Sequence, residues 1–401
     1  MLNINPYTIF SLITIIVLLL YKLKWSLLYP VLSLPLLIFF FILIIGCLIL
    51  SLILKDRIEF SENIKSQSIY EYKKIYGIIV IIVCIGTLLD GIYSHGFPIF
   101  GTIKYGDDFG VPFLHTFTSI LASFITYYLA MVLTFGKKRN LKILLLFMLS
   151  IICIVLPFSR LLIILTLLNY FWSLLFFKGN KSKLSIKKVL TYFIILIGVL
   201  YGFGILGNYR LNVQTGVYGT DVRDSTLIYR IGVPSQKFID SKIPSAYFWD
   251  YIYITSSLGN LQNIINEKQD ENGSINEFLI TQFTPDVFSK RIYPNFSTEV
   301  TENTYQYRVA PVLNVGTVFF NSYYLYNYLG ISMMLLFIWL FPLAYLLFLQ
   351  NLGEKNFVYG LSILNTIYFL LFFDNMFTLS VLSLQLFIPL IAGIIGRSSR
   401  N

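Results

Sequence analysis

The chain has 401 residues, of which 56% are hydrophobic and only 12% are charged, with a formal net charge of +10. A soluble domain carries about 25% charged residues, so this composition excludes an ordinary soluble enzyme. The positive charge lies mostly in short loops beside apolar runs, where membrane orientation requires it, and no nucleic-acid-binding module is present. Because lipid cannot hydrogen-bond an exposed backbone, the composition predicts an all-α integral membrane protein that has no nucleic-acid partner.

Ten apolar runs are long enough to be predicted as transmembrane helices. They lie at residues 5–22, 28–54, 75–92, 113–135, 141–157, 160–177, 188–207, 330–350, 356–373 and 377–396. These runs divide the chain into three parts. The first seven spans occupy 1–207, a large loop with a membrane re-entry segment occupies 208–329, and the last three spans with a short tail occupy 330–401.

The short connections between the spans alternate in charge. The connections at 55–74, 136–142 and 178–188, together with Lys355 and the C-terminal tail, carry 17 basic residues. The connections that alternate with them carry only 4. Cytoplasmic loops of membrane proteins hold the excess of Lys and Arg. The alternation therefore predicts that both termini are cytoplasmic and that the long polar segment 208–308 is external.

The connection at 90–115 is predicted to be an ordered external loop or a partly re-entrant segment, because it is rich in Gly, Pro and aromatic residues. It contains both histidines of the chain, His95 and His115, and the adjacent pair Asp107 and Asp108.

The large loop is predicted to be ordered, because it has too many aromatic residues for a disordered segment. Residues 247–268 and 276–294 are predicted as amphipathic helices, the second broken near Pro285. The following stretch, 309–330, is too polar for an ordinary span and is predicted to lie at the outer boundary or to dip inward.

Arginine is concentrated on the predicted outer side. Five of the nine basic residues in 208–308 are Arg. Of the 17 basic residues predicted to be cytoplasmic, 13 are Lys. Orientation needs only charge, but the planar guanidinium fork suits phosphate or carboxylate. Arg160 opens the sixth span; there it either reaches lipid headgroups or lines a polar cavity that holds an anion.

Several reaction classes are disfavoured by the absence of their motifs. The sequence has no GxxxxGK[ST] phosphate loop, no HExxH, no GxSxG and no Cys/His cluster with metal spacing. An ATP-driven pump or a zinc protease is therefore not expected, and neither a metal nor another cofactor is predicted. Aromatic faces and short polar side chains suit sugar rings, so the loop composition favours a lipid-linked sugar phosphate as the substrate.

Four stretches carry a resemblance to a known family. FSRLLIILTLLNYFW, GVLYGFGILGNYR, YIYITSSLGNLQNIIN and NVGTVFFNSYYLYNYLGISMM, at 158–172, 198–210, 251–266 and 314–334, are similar to segments of the Wzy-type polymerases of O-antigen and capsule repeat units. The resemblance is to the branch called oligosaccharide repeat unit polymerase. Its last segment often has an acidic residue before the final Gly, but Asn327 and Leu329 stand nearby here, so no catalytic acid is assigned there.

The resemblance implies a fold of the GT-C-like, O-antigen polymerase and ligase type in a bacterial cytoplasmic membrane. It also implies an inverting, metal-independent glycosyl transfer at the outer membrane face. The growing chain would pass from its undecaprenyl diphosphate to the next lipid-linked oligosaccharide, so both donor and acceptor are lipid-linked. A chain-length regulator and a flippase of the same pathway are implied as protein partners.

The catalytic residues predicted on this basis are Arg210, Arg160 and His115. The two arginines lie at predicted outer membrane boundaries and are assigned to the diphosphate, and His115 is assigned as the base, with the alternatives Asp107, Asp108, Glu299 and Glu302. The residues assigned to substrate binding are Arg223, Arg230, Arg291, Arg308 and Asn260.

Other functions remain open at this point. An O-antigen ligase is expected to use a histidine in its large external loop, and 208–308 has none. A flippase or other transporter would perform no chemistry and usually has more spans with shorter loops. A purely structural scaffold would not need arginines at the membrane boundary.

Overall fold

The structure is a computed structural model, and it describes residues 4–59, 70–100, 109–137, 140–179, 186–214, 221–223, 225–268 and 273–398. Within these residues the regular structure is helical, and the only strand-like pairing described is an isolated bridge between Ser26 and Pro234. Asp107 and Asp108, two of the alternatives for the base, lie outside the described residues.

The helices of the first half are α1 (Pro6–Lys22), α2 (Leu34–Glu59), α3 (Lys74–Tyr93), α4 (Leu114–Phe135), α5 (Leu141–Val155), α6 (Arg160–Gly179) and α7 (Ile186–Gln214). The helices of the second half are α8 (Leu227–Gly232), α9 (Gln236–Asp240), α10 (Ser245–Glu267), α11 (Ile275–Phe283), α12 (Asp286–Ile292), α13 (Phe296–Asn303), α14 (Phe320–Gln350), α15 (Glu354–Leu370), α16 (Ser380–Ser383) and α17 (Phe387–Ser398). Single 3-10 turns lie at Pro98–Phe100, Tyr305–Tyr307 and Leu384–Leu386.

Four of the helices, α2, α3, α4 and α14, are long and apolar enough to cross a membrane. Shorter apolar helices lie at Pro6–Lys22, Leu141–Val155, Leu161–Phe177 and Ser380–Ile395. An all-helical chain with such helices is what the composition predicted for a helical membrane protein. The full count of ten spans stays a prediction.

Local side chains explain where two of the apolar helices begin. Asn5 caps α1 by accepting a hydrogen bond from the backbone N–H of Thr8 at 3.0 Å, and Pro6 occupies the first helical position. Asn140 caps α5 in the same way, accepting from the N–H of Ile143 at 3.0 Å. Asparagine at the cap and proline just after it are among the strongest start signals for a helix.

Several helix boundaries differ from the sequence-based expectation. The predicted limit at 207 falls inside α7, which continues to Gln214. The predicted start at 330 falls inside α14, which begins at Phe320 and is kinked at Tyr326 and Asn327. The break near Pro285 is confirmed, because α11 ends at Phe283 and α12 begins at Asp286.

The connections that carry little charge lie against the large polar segment. Ser26, between α1 and α2, donates from Oγ to the carbonyl oxygen of Gly232 in α8 at 2.6 Å. Asn375, between α15 and α16, donates from Nδ2 to the carbonyl oxygen of Gln282 in α11 at 2.8 Å. These hydrogen bonds join the polar segment to the same end of the helix bundle.

Two of the lysine-rich connections, at 55–74 and 136–142, contact each other or α4 near its C-terminal end. The Nζ atom of Lys142 lies 5.8 Å from the ring centroid of Tyr72. The ring of Tyr70 packs on Phe135, the last residue of α4, with centroids 6.5 Å apart. These contacts bring the described residues of the connections at 55–74 and 136–142 together near the last residue of α4.

A buried hydrogen-bond network joins four helical segments in the interior. Gln385, in the 3-10 turn that separates α16 from α17, accepts at Oε1 from Tyr359 of α15 at 2.9 Å and from Asn169 of α6 at 3.3 Å. Ser123 of α4 approaches the same oxygen at 3.5 Å. Thr366 of α15 donates to the other end of the Asn169 amide at 2.6 Å. Polar side chains between apolar helices act as adhesive contacts of this kind.

Candidate functional site

An aspartate and a histidine from neighbouring helices form a hydrogen-bonded pair. His115 is the second residue of α4, and its Nδ1 atom lies 2.9 Å from Oδ2 of Asp90 in the last turn of α3. The Asp90 side chain is 1% exposed, whereas that of His115 is 28% exposed. A carboxylate accepts hydrogen bonds, so in the neutral imidazole the proton lies on Nδ1 and Nε2 carries the free lone pair.

The loop before α4 holds this pair in place. The second oxygen of Asp90 accepts a hydrogen bond from the backbone N–H of Val111 at 2.9 Å, and the N–H of Gly110 donates to Oγ of Ser94 at 2.8 Å. Gly110 has φ of +92°, and a Cβ atom there would lie 2.7 Å from Cγ of His115. Only glycine satisfies both the backbone conformation and the close approach at this position.

This arrangement can remove a proton from a hydroxyl group. The carboxylate of Asp90 orients the ring of His115 and stabilises the imidazolium that forms when Nε2 accepts a proton. His115 was predicted as the base, but Asp90 was not predicted to act with it. The signal available was a single acidic residue at the end of an apolar run, because ionisable residues in spans are usually functional.

Helix α12 places Arg291 against the residue that precedes α4. Its Cζ atom lies 5.0 Å from the ring centroid of Phe113, which immediately precedes α4. The first turn of α12 is attached to the bundle, since the N–H of Asp286 donates to the carbonyl oxygen of Thr378 at 2.7 Å. Arg291 of the large loop therefore contacts the residue that lies two positions before His115 in the chain.

Two other predicted arginines lie near the C-terminal end of α7. Asn208 donates from Nδ2 to the carbonyl oxygen of Val222 at 2.8 Å and accepts from Nε1 of Trp249 at 2.7 Å. Arg210 follows Asn208 by two residues and is half-buried, and Arg223 follows Val222 and is exposed. The Asn208 amide therefore joins the two chain segments that carry these arginines.

The end of α7 is fixed by its close packing on α10. A Cβ atom at Gly204 would lie 2.0 Å from the carbonyl oxygen of Ala246, so a larger residue there would separate the helices.

Arg230 lies in the last turn of α8 and is exposed. Arg160 is the first residue of α6, and its side chain lies outside the part of the structure that is described.

Asn260 is buried and its amide is used by the chain itself. It donates from Nδ2 to the carbonyl oxygens of Leu313 and Val315 at 2.7 and 2.8 Å, and its Oδ1 accepts from the N–H of Val309 at 2.8 Å. These bonds fasten the non-helical stretch after Arg308 to α10. The geometry thus gives Asn260 a positioning role within the chain, and its predicted contact with substrate stays a prediction.

Asp250 of α10 is a buried carboxyl group that the sequence did not single out. Its side chain is 7% exposed, and Oδ2 has no hydrogen-bond partner among the described residues. Burial raises the pKa of Asp250 to about 7, because the charged form loses its hydration.

The raised pKa of Asp250 predicts a pH dependence of stability. The group's folded pKa lies above its unfolded value of 3.8, so its stabilising effect is present at low pH and is lost as pH rises through 7. We expect Asp250→Asn to exceed the wild type in free energy of unfolding by about 2–4 kcal/mol at pH 8 and by much less at pH 5. Unfolding of the purified protein in detergent at both pH values measures this.

The matched control is Asp240→Asn, which changes an exposed aspartate in the neighbouring helix α9. This variant is expected to follow the wild type at both pH values. Equal stability differences for Asp250→Asn at pH 5 and pH 8 would contradict the assignment.

No protein-family model, no curated protein and no solved structure matches this chain. Its function is therefore argued from the residues and their geometry.

Proposed function

We propose that the protein is a glycosyltransferase of the bacterial cytoplasmic membrane, similar to the Wzy-type family. In this proposal it polymerises undecaprenyl-diphosphate-linked repeat units into a surface polysaccharide, either O-antigen or capsule. The observation that carries the proposal is the Asp90–His115 pair, together with the contact of Arg291 from the polar segment with Phe113, two residues before His115.

The proposed reaction uses His115 as the general base. Its Nε2 atom takes the proton from the acceptor hydroxyl as that oxygen attacks the anomeric carbon of the donor. The bond from the anomeric carbon to the diphosphate oxygen breaks, and the lipid diphosphate leaves with the electron pair. Guanidinium groups stabilise the developing negative charge, for which Arg291, Arg210 and Arg160 are assigned.

The proposed topology has ten spans, cytoplasmic termini and an external polar segment. The charge alternation of the connections supports it, since the lysine-rich set is expected inside. The contacts of Ser26 and Asn375 with the polar segment also support it, because these connections belong to the weakly charged set.

The proposal is tested by the glycan of a deletion strain that is complemented with variants. We expect the deletion to leave single repeat units on the lipid acceptor and the wild type to restore long chains. Arg210→Ala and Arg160→Ala are expected to lower polymer formation by about 10²-fold or more, because each removes a charge that stabilises the leaving group. The distribution of chain lengths on a gel measures this, with membrane levels of each variant determined in parallel.

Lys137→Ala, in the lysine-rich connection after α4, is the matched control and is expected to restore long chains. Complete repeat units trapped on the inner leaflet of the deletion strain would identify a flippase instead. Normal chain lengths in both arginine variants would contradict their assignment to the diphosphate.

A further inference from the structure

A polar cavity of about 590 Å³, which is wide open on one side, lies between the end of α13 and the first turns of α14. Its volume falls in the range of about 300–1,000 Å³ that is typical of small-molecule sites. The cavity has three tyrosine rings, two amides and one carboxylate in its lining, from the residues Glu302, Asn303, Tyr305, Gln306, Tyr307 and Tyr324.

These groups match the two surfaces of a sugar ring. A pyranose presents C–H groups on its face, which pack on aromatic rings, and hydroxyl groups on its rim. Amides both donate and accept hydrogen bonds, and a carboxylate accepts them. Asn303, Gln306 and Glu302 can therefore pair with sugar hydroxyls that act as donors or as acceptors. Asn303 is already oriented, because its Nδ2 atom donates to the hydroxyl of Tyr324 at 3.0 Å.

A buried lysine holds the inner wall of the cavity. Lys268 is 6% exposed, and its Nζ atom lies 5.6 Å from the ring centroid of Tyr324. The same atom donates to Oδ1 of Asn327 at 3.3 Å. Asn327 has φ of +46° and ψ of −136°, which breaks α14 just after Tyr324. Lys268 thus links the ring of Tyr324 to the kink of α14 at Asn327.

An arginine holds the outer wall in a similar way. The Cζ atom of Arg308 lies 5.5 Å from the ring centroid of Tyr305, and its Nη2 atom donates to the carbonyl oxygen of Thr301 at 3.2 Å. Cations over aromatic faces stabilise such arrangements. Both tyrosine walls are therefore oriented before a ligand arrives, which lowers the entropic cost of binding.

The charge of the lining distinguishes this cavity from a phosphate site. Glu302 is the only charged residue among the six that line it, and its carboxylate repels a diphosphate. The guanidinium of Arg291, in contact with Phe113, carries the opposite charge. The diphosphate and the sugar are thus expected at different places on the polar segment.

We infer that this cavity is a subsite for a neutral pyranose of the glycan, an inference that rests on the proposed polymerase function for its choice of ligand. Arg308 then acts by orienting Tyr305, in contrast to the direct substrate contact expected from the sequence. The subsite holds sugar rings of the chain away from the bond that is made.

The test uses the full-length protein in lipid nanodiscs. The probe is the repeat-unit oligosaccharide that mild acid releases from the lipids of the deletion strain, and binding is followed by saturation-transfer NMR. We expect Glu302→Gln and Tyr305→Ala to raise the Kd at least tenfold. Both side chains are exposed, so these variants are expected to keep the melting temperature of the wild type.

Glu354→Gln is the matched control, since Glu354 is an exposed glutamate at the start of α15 and does not line the cavity. It is expected to bind as the wild type does, and inorganic pyrophosphate is expected not to displace the sugar. Unchanged binding in both cavity variants would overturn the inference, and so would displacement of the sugar by pyrophosphate.

The failure of the subsite and the failure of the polymerase proposal give different results. If long chains disappear in the deletion strain but the cavity variants bind and polymerise as the wild type does, the subsite is wrong and the polymerase stands. If long chains persist in the deletion strain while sugar binding by the purified protein still depends on Glu302 and Tyr305, the subsite stands and the polymerase is wrong.

Discussion

Replacing His115 with alanine is expected to lower the rate of chain transfer by about 10²–10⁴-fold without unfolding the protein. The acceptor hydroxyl would lose the group that takes its proton, while the arginines that bind the diphosphate would remain. The ring of His115 is partly exposed, so its removal leaves only a small space at the protein surface. Single-turnover elongation of purified lipid-linked repeat units measures the transfer rate.

Asp90→Asn is expected to lower the rate of chain transfer almost as much as His115→Ala does, although Asp90 contacts no substrate in the proposed reaction. An amide can turn its NH2 group toward Nδ1 of His115, which favours the tautomer that has its proton on Nε2. The positioning role predicts that the rate falls while substrate binding is kept. A rise in KM with an unchanged kcat would instead indicate a structural effect.

His95→Ala is the control for both variants. His95 is the other histidine of the chain, and it is exposed in the same connection. The control is expected to retain wild-type activity. If His115→Ala transfers the chain at the wild-type rate, another base must be sought.

The sequence predicted those features of the fold that depend on local patterns. The runs at 75–92 and 113–135 agree with α3 and α4 to within a residue at each end, because a continuous apolar run largely determines its own helix. The helix break near Pro285 was predicted for a similar reason, since proline excludes a continuing helix at that point.

The site could be predicted only in part, because its geometry depends on contacts between distant residues. Asp90 and His115 are 25 residues apart, and their pairing follows from the packing of α3 against α4. Asn260, in one of the four stretches with family resemblance, was assigned to substrate binding, and this assignment stays a prediction. Its burial became evident only when the stretch after Arg308 was seen to fold over α10.

Replacing Gln385 with leucine is expected to lower the free energy of unfolding by about 2–4 kcal/mol. The oxygen Oε1 of Gln385 accepts from Tyr359 and Asn169, and these buried donors would lose their acceptor. The amide also satisfies the carbonyl oxygen of Val381, which it contacts at 2.8 Å. Reversible unfolding in mixed micelles measures the loss, and Gln236→Leu, at an exposed glutamine in α9, serves as the control.

The double variant Gln385→Leu with Asn169→Leu distinguishes a lost hydrogen bond from a disturbed helix packing. If the cost of Gln385→Leu comes partly from the unsatisfied amide of Asn169, removing that amide as well returns part of the stability. The two single losses would then sum to more than the loss of the double variant. Losses that simply add would contradict the shared bond and would assign the effect of Gln385→Leu to the 3-10 turn between α16 and α17.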